Sequence, residues 1–575
     1  MERLPGLNVA NHYEKSTLLF AINCIAGLSI FFFGYDQGMM GGVNNAKHYV
    51  ELMGFGYIDP ETKEPIVTNG LLQGGIVSVY YLGTLAGCLL GGWVGDKVGR
   101  IKTIAFGCVW AIIGAALQCS AMNASWMICG SFIPVSVKCW LETDMNDYIA
   151  RAVNGIGTGI LNAIVPVWAT ETAEHTSRGQ FVAIEFTLNI FGVVVAYWLE
   201  FGLSFIDNGE SAFRWRFPVA FQIIPLIILI SAVWFFPESP RWLVKEGRND
   251  EATFILRRLR GTDEAGQRKA DAEVDDIKNV VALEVKESSQ NSYLHMLFGI
   301  GSGNLHTGRR VQLVIWLQIM QEWVGIAGVT VYAPTIFRMA GFDTEKSQWI
   351  SGLNNVFYMF ATLVCVFTVD RIGRRWTLYW GAVGQGVAMF LAGGFAKLCK
   401  DAGERGDIAK VNSYGAAAAS FVFIFTSVFG ATWLTVPWLY QAEIFPLQVR
   451  AKGNAWGVVG WSIGNGWLTL LCPVMFENIG ENTLHIFAAC NILSIGMVWA
   501  LYPESNQRTL EEMDLLFAAP TPWVWDAEKT FAKLKAERPE LTNAAHAGKA
   551  VLDAEAAGAG KVSEGNVLKG SSNGA

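Results

Sequence analysis

Long apolar runs alternate with short polar breaks along the chain. The runs lie near residues 17–40, 70–94, 103–122, 126–168, 181–203 and 217–236, and again near 311–337, 350–369, 377–398, 414–440, 453–476 and 484–502. Each is long enough for the roughly 20 mostly apolar residues that a spanning helix needs, and 126–168 is abnormally long. A polar stretch, 237–306, separates the first six from the second six. Within it, segments such as EATFILRRLRG alternate charged and apolar positions, which predicts short amphipathic helices with a solvated face. After about residue 518 no apolar period remains, and an Ala-, Gly-, Glu- and Lys-rich tail over 518–575 is expected to be flexible. The pattern predicts an all-α membrane protein of twelve transmembrane helices: one six-helix bundle over 17–236, a helical linker over 237–306, and a second bundle over 307–517.

Basic residues set an expected orientation. Lys97, Arg100 and Lys102, Arg178, Arg241 through Arg260, Arg371 through Arg375, and Arg450 with Lys452 fall on one side if the spans alternate. The positive-inside rule makes that side cytoplasmic, with both termini on it. The halves also echo each other. GWVGDKVGRIK (92–102) follows the second run and DRIGRR (370–375) the eighth; PESPR (237–241) ends the sixth and PESNQR (503–508) the twelfth. A repeat at half the chain length is the mark of a carrier built from parallel halves, with its substrate site between them near the bilayer midplane.

Composition narrows the class further. Of 575 residues, 52% are hydrophobic and only 16% charged, against about 25% charged in soluble domains. Soluble cores stop growing near about 250–300 residues, so a soluble chain this long would need more charged surface. A disordered protein, a nucleic-acid binder with a basic face and most soluble multidomain enzymes are excluded; 43 basic against 50 acidic residues leave no basic footprint. The 10 Cys are scattered, mostly in apolar runs, with no metal-ligand spacing, so buried thiols are expected and no metal or cofactor. No nucleophile–base pair or phosphate loop stands out, so no enzyme is expected. The first sixteen residues lack the apolar segment and cleavage site of a signal peptide, and the first run should stay as a helix.

Eight motifs stand in order: FGYDQG (33–38), GDKVGR (95–100), RAVNGIGTG (151–159), PVWATETAEHTSRG (166–179), PESPRWL (237–243), DRIGRR (370–375), VPWLYQAEIFPLQVRAKG (436–453) and PESNQRTLEEMD (503–514). Together they resemble the major facilitator superfamily and, within it, the sugar porter family, over about residues 17–517. The stretch 184–204 is similar to fungal proton-coupled glycerol and sugar symporters rather than to hexose facilitators.

Asp36 lies near the end of an apolar helix, where a carboxylate costs about 2.5–3.5 kcal/mol on insertion scales. The resemblance makes Arg151 its partner in the first bundle. Burial favours the protonated acid and the guanidinium favours the carboxylate, so a change in their separation loads or releases a proton. The alternative is a permanent ion pair that only holds helices together. The resemblance also implies a cytoplasmic latch joining the halves, built from Asp96, Arg100, Glu171, Arg178, Glu238 and Arg241 with Asp370, Arg374, Arg375, Glu443, Arg450, Glu504 and Arg508; the plainer reading is a topogenic signal.

In sugar porters, amides on the fifth, seventh, eighth and eleventh helices bond the substrate. Here Gln321 and Trp438 are retained. Glu322 stands where a second Gln is usual, Ala327 and Gly460 where Asn is usual, and Phe186 where Gln is usual, beside an intramembrane Glu185. The usual Asn of the eighth helix aligns with Tyr358, with Asn354 and Asn355 about one turn earlier. Trp461 and Asn465 complete the candidate substrate set. Each of these is equally readable as a core aromatic or a helix-bonding amide. A site that has lost hydroxyl partners is poorly matched to ordinary glucose, which points to a pentose, a polyol or a sugar acid. Glu185 and Glu322, without a new intramembrane cation, weigh against an acid unless they are protonated.

Run four carries SFIPVSVKCWLETDMNDYIA (131–150) where the family pattern passes from Gly130 directly to an Arg. Lys138, Glu142, Asp144 and Asp147 would fall in mid-span. Either a retained intron or an extracellular loop before the helix accounts for it. The expected function is proton-coupled symport of a monosaccharide, polyol or sugar acid across the plasma membrane by alternating access, as a monomer, with a sugar or polyol, a proton and the bilayer as its partners. The alternatives are a facilitative uniporter and a sensor that binds sugar without transporting it.

Overall fold

The computed structural model describes residues 8–61, 64–121, 146–172, 178–287, 293–300, 306–445, 449–506, 508, 510–517, 519 and 521–537. Twelve helices among them are long and apolar enough to cross a membrane. The first half holds Lys15–Val43, Gly70–Val98, Arg100–Cys119, Ala150–Thr172, Ile184–Ser204 and Phe213–Val233; the second holds Thr307–Met339, Thr344–Val369, Arg374–Glu404, Ile408–Ile444, Lys452–Ile479 and Asn482–Leu501. They are called spans 1 to 12 below. Large apolar side chains such as Leu82, Trp234, Phe367 and Ile492 face outward, a surface suited to lipid and unsuited to water.

Packing repeats between the halves. Span 1 lies on span 5 and span 2 on span 4; correspondingly, span 7 lies on span 11 and span 8 on span 10. Spans 3 and 9 pack against 4 and 6, and against 10 and 12, respectively. The halves meet along two seams, span 2 on span 11 and span 5 on span 8. Each seam is the other with the halves exchanged, as a chain of two parallel repeats requires.

At one end, the loop from span 1 to span 2 forms helix Lys47–Met53 and a small antiparallel hairpin, Gly56–Ile58 paired with Pro65–Val67. Here Arg338 donates to Asn45 Oδ1 (2.8 Å) and Thr344 to Glu64 Oε1 (2.6 Å), bridging the halves. The opposite end carries the basic motifs. The linker forms helices Pro240–Lys245, Asn249–Arg260, Glu264–Glu287 and Tyr293–Phe298. Ala252, Ile255 and Leu259 bury against Ala10, Leu18 and Trp168, and Arg258 donates to the carbonyls of Ala10 and Asn11, so this part of the linker belongs to the first half.

The described helix of span 4 runs Asn146–Thr172 and carries Arg151 near its start; most of the 131–150 insert and the earlier part of run four lie outside the described residues. Two expectations are corrected. Span 7 is not one smooth helix: a π-helical turn, Glu322–Ile326, contains Gly325 at φ 118°, a conformation that side-chain-bearing residues resist. The start of the tail is helical, Leu510–Phe517 and Val524–Glu537. Phe517 packs over the Arg309 and Arg310 guanidiniums, and Arg508 pairs with Glu528 at 2.9 Å. Alternating Val524, Ala527 and Phe531 give this segment a buried stripe that its polar composition hid.

Candidate substrate and proton sites

Asp36 is 1% exposed on span 1. Its two oxygens accept from Asn154 Nδ2 at 3.1 and 3.2 Å. Asn154 stands three residues after Arg151 on span 4, so helical spacing brings both to one face. Arg151, 2% exposed, donates to Gln118 Oε1 (3.3 Å) and lies over the Tyr80 ring, 5.2 Å from its centroid. No ion pair joins Asp36 and Arg151; they act on each other through space. In place of the permanent ion pair given as the alternative, the acid is held by an amide and the base by an amide and a ring. Tyr80 Oη, beside Asp36, and Arg151 Nε are buried without hydrogen-bond partners. Sequence reading passed over Asn154, Tyr80 and Gln118. Asn154 carried the best signal, a polar residue one turn from Arg151 inside RAVNGIGTG.

Between the halves, rings gather. Phe186 lies 5.6 Å from Trp438, Trp438 6.4 Å from Trp461, and Trp461 5.3 Å from Phe33 and 5.4 Å from Tyr81. Thr84 and Ser462 hydroxyls meet across the same seam at 3.0 Å. Glu322, 3% exposed, sits here with Asn465 and Trp461 against its carboxyl and Tyr81 and Tyr358 close by. The structure thus brings together Phe186, Trp438, Trp461, Asn465, Tyr358 and Glu322. Gln321 Nε2 donates to the carbonyls of Trp433 and Leu434 (2.8 and 3.0 Å), where span 10 turns before Val436–Ile444, while its Oε1 is buried without a partner. Gly460, standing at an expected amide position, lets span 11 touch span 7: a Cβ there would lie 2.7 Å from the Ile315 carbonyl oxygen. Asn354 accepts from Thr426 (2.8 Å), and Asn355 Nδ2 has no partner. Glu185 is 5% exposed with one oxygen unpaired, and no described interaction joins it to the rings. Gln318, bonded to Gln441 at 3.2 Å, and buried Glu200 beside Gly42 are further polar groups that sequence reading did not single out.

The basic motifs form two matched clusters. Arg100 pairs with Glu171 (3.1 Å) and Asp96 (3.3 Å), while its backbone N–H and that of Ile101 donate to Glu238 (2.9 and 3.2 Å). Arg374 pairs with Glu443 (2.7 Å), and its backbone N–H and that of Arg375 donate to Glu504 (2.9 and 3.1 Å). In both, a carboxylate from the end of the half caps the N-terminus of the third helix, where backbone dipoles favour an anion. Gly99 (φ 103°) and Gly373 (φ 95°) make the turns that present those N–H groups. Arg241 acts on Glu171 from nearby. Among the described residues these pairs close within each half, where each motif meets the helix ends of its own repeat. The side chains of Arg178, Asp370 and Arg450 lie outside the described residues. Across the halves, a narrow cleft is lined by Asp96, Arg100, Ala163, Tyr293 and Lys452, and the Tyr293 ring lies 6.2 Å from Trp456. Burial pushes the Tyr293 hydroxyl above the usual phenol range, with Asp96 adding to it, so it stays neutral.

Residues 22–517 match the family described as sugar (and other) transporter. The chain is 31% identical over 517 residues to the sugar transporter STL1 of Saccharomyces cerevisiae, covering 88% of this chain and 82% of that one. It is 25% identical over 526 residues to the D-xylose-proton symporter of Escherichia coli, covering 89% and 98%. Among solved structures, it is similar to the proton:xylose symporter XylE bound to 6-bromo-6-deoxy-D-glucose, with TM-score 0.68 and 25% identity over 88% of this chain and all of that one. Twelve spans in two repeated halves and a family match across nearly all of both make this chain a member of the sugar transporter family of the major facilitator superfamily, a membrane carrier and not an enzyme.

Proposed function

We propose that this carrier is a proton-coupled symporter of a monosaccharide or polyol. It works as a monomer in the plasma membrane, with the basic end and both termini in the cytoplasm. The observation that carries this reading is Asp36: a carboxyl 1% exposed, held by the Asn154 amide beside the Tyr80 hydroxyl, with the Arg151 charge acting on it through space. Such an acid responds to small changes in the distance to its neighbour, and rocking of the halves supplies that change. Protonation permits the loaded carrier to reorient, and return of the carboxylate toward Arg151 resets it. The rings Phe186, Trp438 and Trp461 offer flat apolar faces for sugar C–H groups, with Asn465 and Tyr358 placed to bond hydroxyls. The names of the relatives, a sugar transporter and a xylose-proton symporter, favour the same reading.

The test is uptake in cells lacking their own sugar carriers, with D-xylose, D-glucose, glycerol and D-galacturonate offered in turn. Wild type should accumulate one of the neutral solutes against its gradient while the outer medium turns alkaline. Asp36→Asn should still equilibrate that solute but not concentrate it. Equal accumulation by the Asn variant would sink the coupling role of Asp36.

A further inference from the structure

Glu322 is the buried acid that the Asp36 mechanism leaves unused. It occupies the first position of the π-helical turn in span 7, three residues before Gly325. Span 11 presses close: a Cβ at Gly464 would lie 3.2 Å from Glu322 Cβ. Its carboxyl is faced by Asn465 and Trp461 of span 11, Tyr81 of span 2 and Tyr358 of span 8. The nearest cysteine of span 11, Cys472, lies further along against Gly328. None of these groups is a cation, and among the described residues no ion pair reaches the carboxyl, to which Asn465 and Trp461 are placed to donate. A carboxylate 97% withdrawn from solvent without a counter-charge is far more costly than the neutral acid. The same acid stands at a bend in the helix and on the seam between the halves, where rocking changes its access to water.

We propose that Glu322 is a second proton-carrying group, set inside the substrate cavity, and that it restricts the cargo to uncharged sugars and polyols. This rests on the proton-symport reading above. The neutral acid donates a hydrogen bond to a substrate hydroxyl as well as accepting one. It gives up its proton when span 7 bends and the cavity opens to the cytoplasm. An anionic sugar acid finds no cation among the groups facing Glu322 and is repelled whenever the acid ionises. Glu322, Arg151 and Asp36 all act on Tyr81, so the two acids, which belong to different halves, share one neighbouring phenol.

The experiment uses the full-length carrier in proteoliposomes, with wild type, Glu322→Gln, Glu322→Asp and Asp36→Asn compared. Proton and solute fluxes are measured together for whichever of D-xylose, D-glucose and glycerol wild type accumulates most. Glu322→Gln keeps the shape of the neutral acid, so uptake persists, but the ratio falls from about two protons per solute to about one. Glu322→Asp keeps a titratable group and restores the higher ratio. An unchanged ratio in Glu322→Gln overturns the proposal. So does D-glucosamine uptake exceeding that of the neutral sugars and lost in Glu322→Gln, which makes Glu322 a counter-charge for an ammonium group. D-galacturonate uptake by wild type overturns the restriction on cargo. If wild type moves no protons with the solute, the symport reading itself fails; if wild type is proton-coupled and only the Glu322→Gln ratio stays unchanged, that reading stands and this one falls.

Discussion

The basic end and the centre of this carrier are built by opposite rules. At the basic end the two halves repeat each other almost bond for bond. Arg100, Glu171 and Glu238 reappear as Arg374, Glu443 and Glu504, with each guanidinium paired and each carboxylate bonded to the helix N-terminus beside it. At the centre the repeat is broken. Asp36 has no counterpart acid at the same place in the second half, Glu322 none in the first, and Tyr80, Arg151, Asn355 and Asn465 each leave a buried polar atom without a partner. Buried polar groups are ordinarily satisfied, and those left open call for a reason. Repeated and satisfied groups hold the halves as rigid bodies; unrepeated and open ones wait for a proton or a hydroxyl. Sequence repetition here marks the scaffold, and departure from it marks the chemistry.

The largest effect should come from breaking the scaffold. Arg100→Leu takes from Glu171, whose side chain is only 11% exposed, its bonded guanidinium and leaves it Arg241 and Ser239, so it should cost about 3 kcal/mol, the lower end of what removal of one partner of a buried pair costs. Arg374→Leu strands Glu443, at 24% exposed, and should cost about 1 kcal/mol less because water can reach that carboxylate. Thermal unfolding of the purified variants in detergent would rank them. The reverse order would mean that the two clusters are not equivalent.

At the centre, effects should fall on transport while folding is spared. Asn154→Leu removes both hydrogen bonds to Asp36, each worth about 1.5–3 kcal/mol to a charged acceptor. The proton is then held more firmly, and uptake should persist to an external pH higher by about one unit or more. A pH profile of initial uptake rate checks this, and an unmoved alkaline limb would detach Asn154 from the coupling. Trp461→Ala removes ring contacts to Phe33, Tyr81 and Trp438. Pairs of this kind are worth about 0.5–1.5 kcal/mol, so the half-saturating sugar concentration should rise by up to about tenfold, with the amount of protein in the membrane unchanged.

The spans and their repeat were legible in the sequence because both depend on pattern: run length gives the spans, and motif order gives the halves. What pattern could not give was where side chains turn. Gln321 matched the expected substrate amide, yet its donors go to the carbonyls exposed where span 10 breaks, a break that an apolar run does not reveal. Gly460 read as a lost amide and is a point of helix contact. The basic motifs read as a bridge because their charges are complementary in either arrangement; only the turns at Gly99 and Gly373 decide that each closes on its own half. The tail was read as flexible because its buried positions are few and spaced by charge. Asp36, Trp438 and Trp461 stand out in the sequence because an acid or a large ring inside an apolar helix is conspicuous without any coordinates.

The smallest effect separates burial from charge as the source of strength at the basic end. Arg248 and Glu251 form a bidentate pair at the start of linker helix Asn249–Arg260, with N–O distances of 2.8 and 2.6 Å that match or better those of Arg100 and Glu171. Yet the Arg248 side chain is 47% exposed. Water already solvates the Arg248 guanidinium, against 6% exposure for Arg100, so although Glu251 is only 16% exposed the pair gains less on folding than that of Arg100. Arg248→Ala should lower stability by about 0.5 kcal/mol or less, a shift near the resolution of a melting curve and further reduced by salt. A loss approaching that of Arg100→Leu would show that ion-pair geometry alone, and not withdrawal from water, fixes the helix ends; the contrast between a satisfied scaffold and an open centre would then lose its physical basis, since both rest on what burial does to an unpaired group.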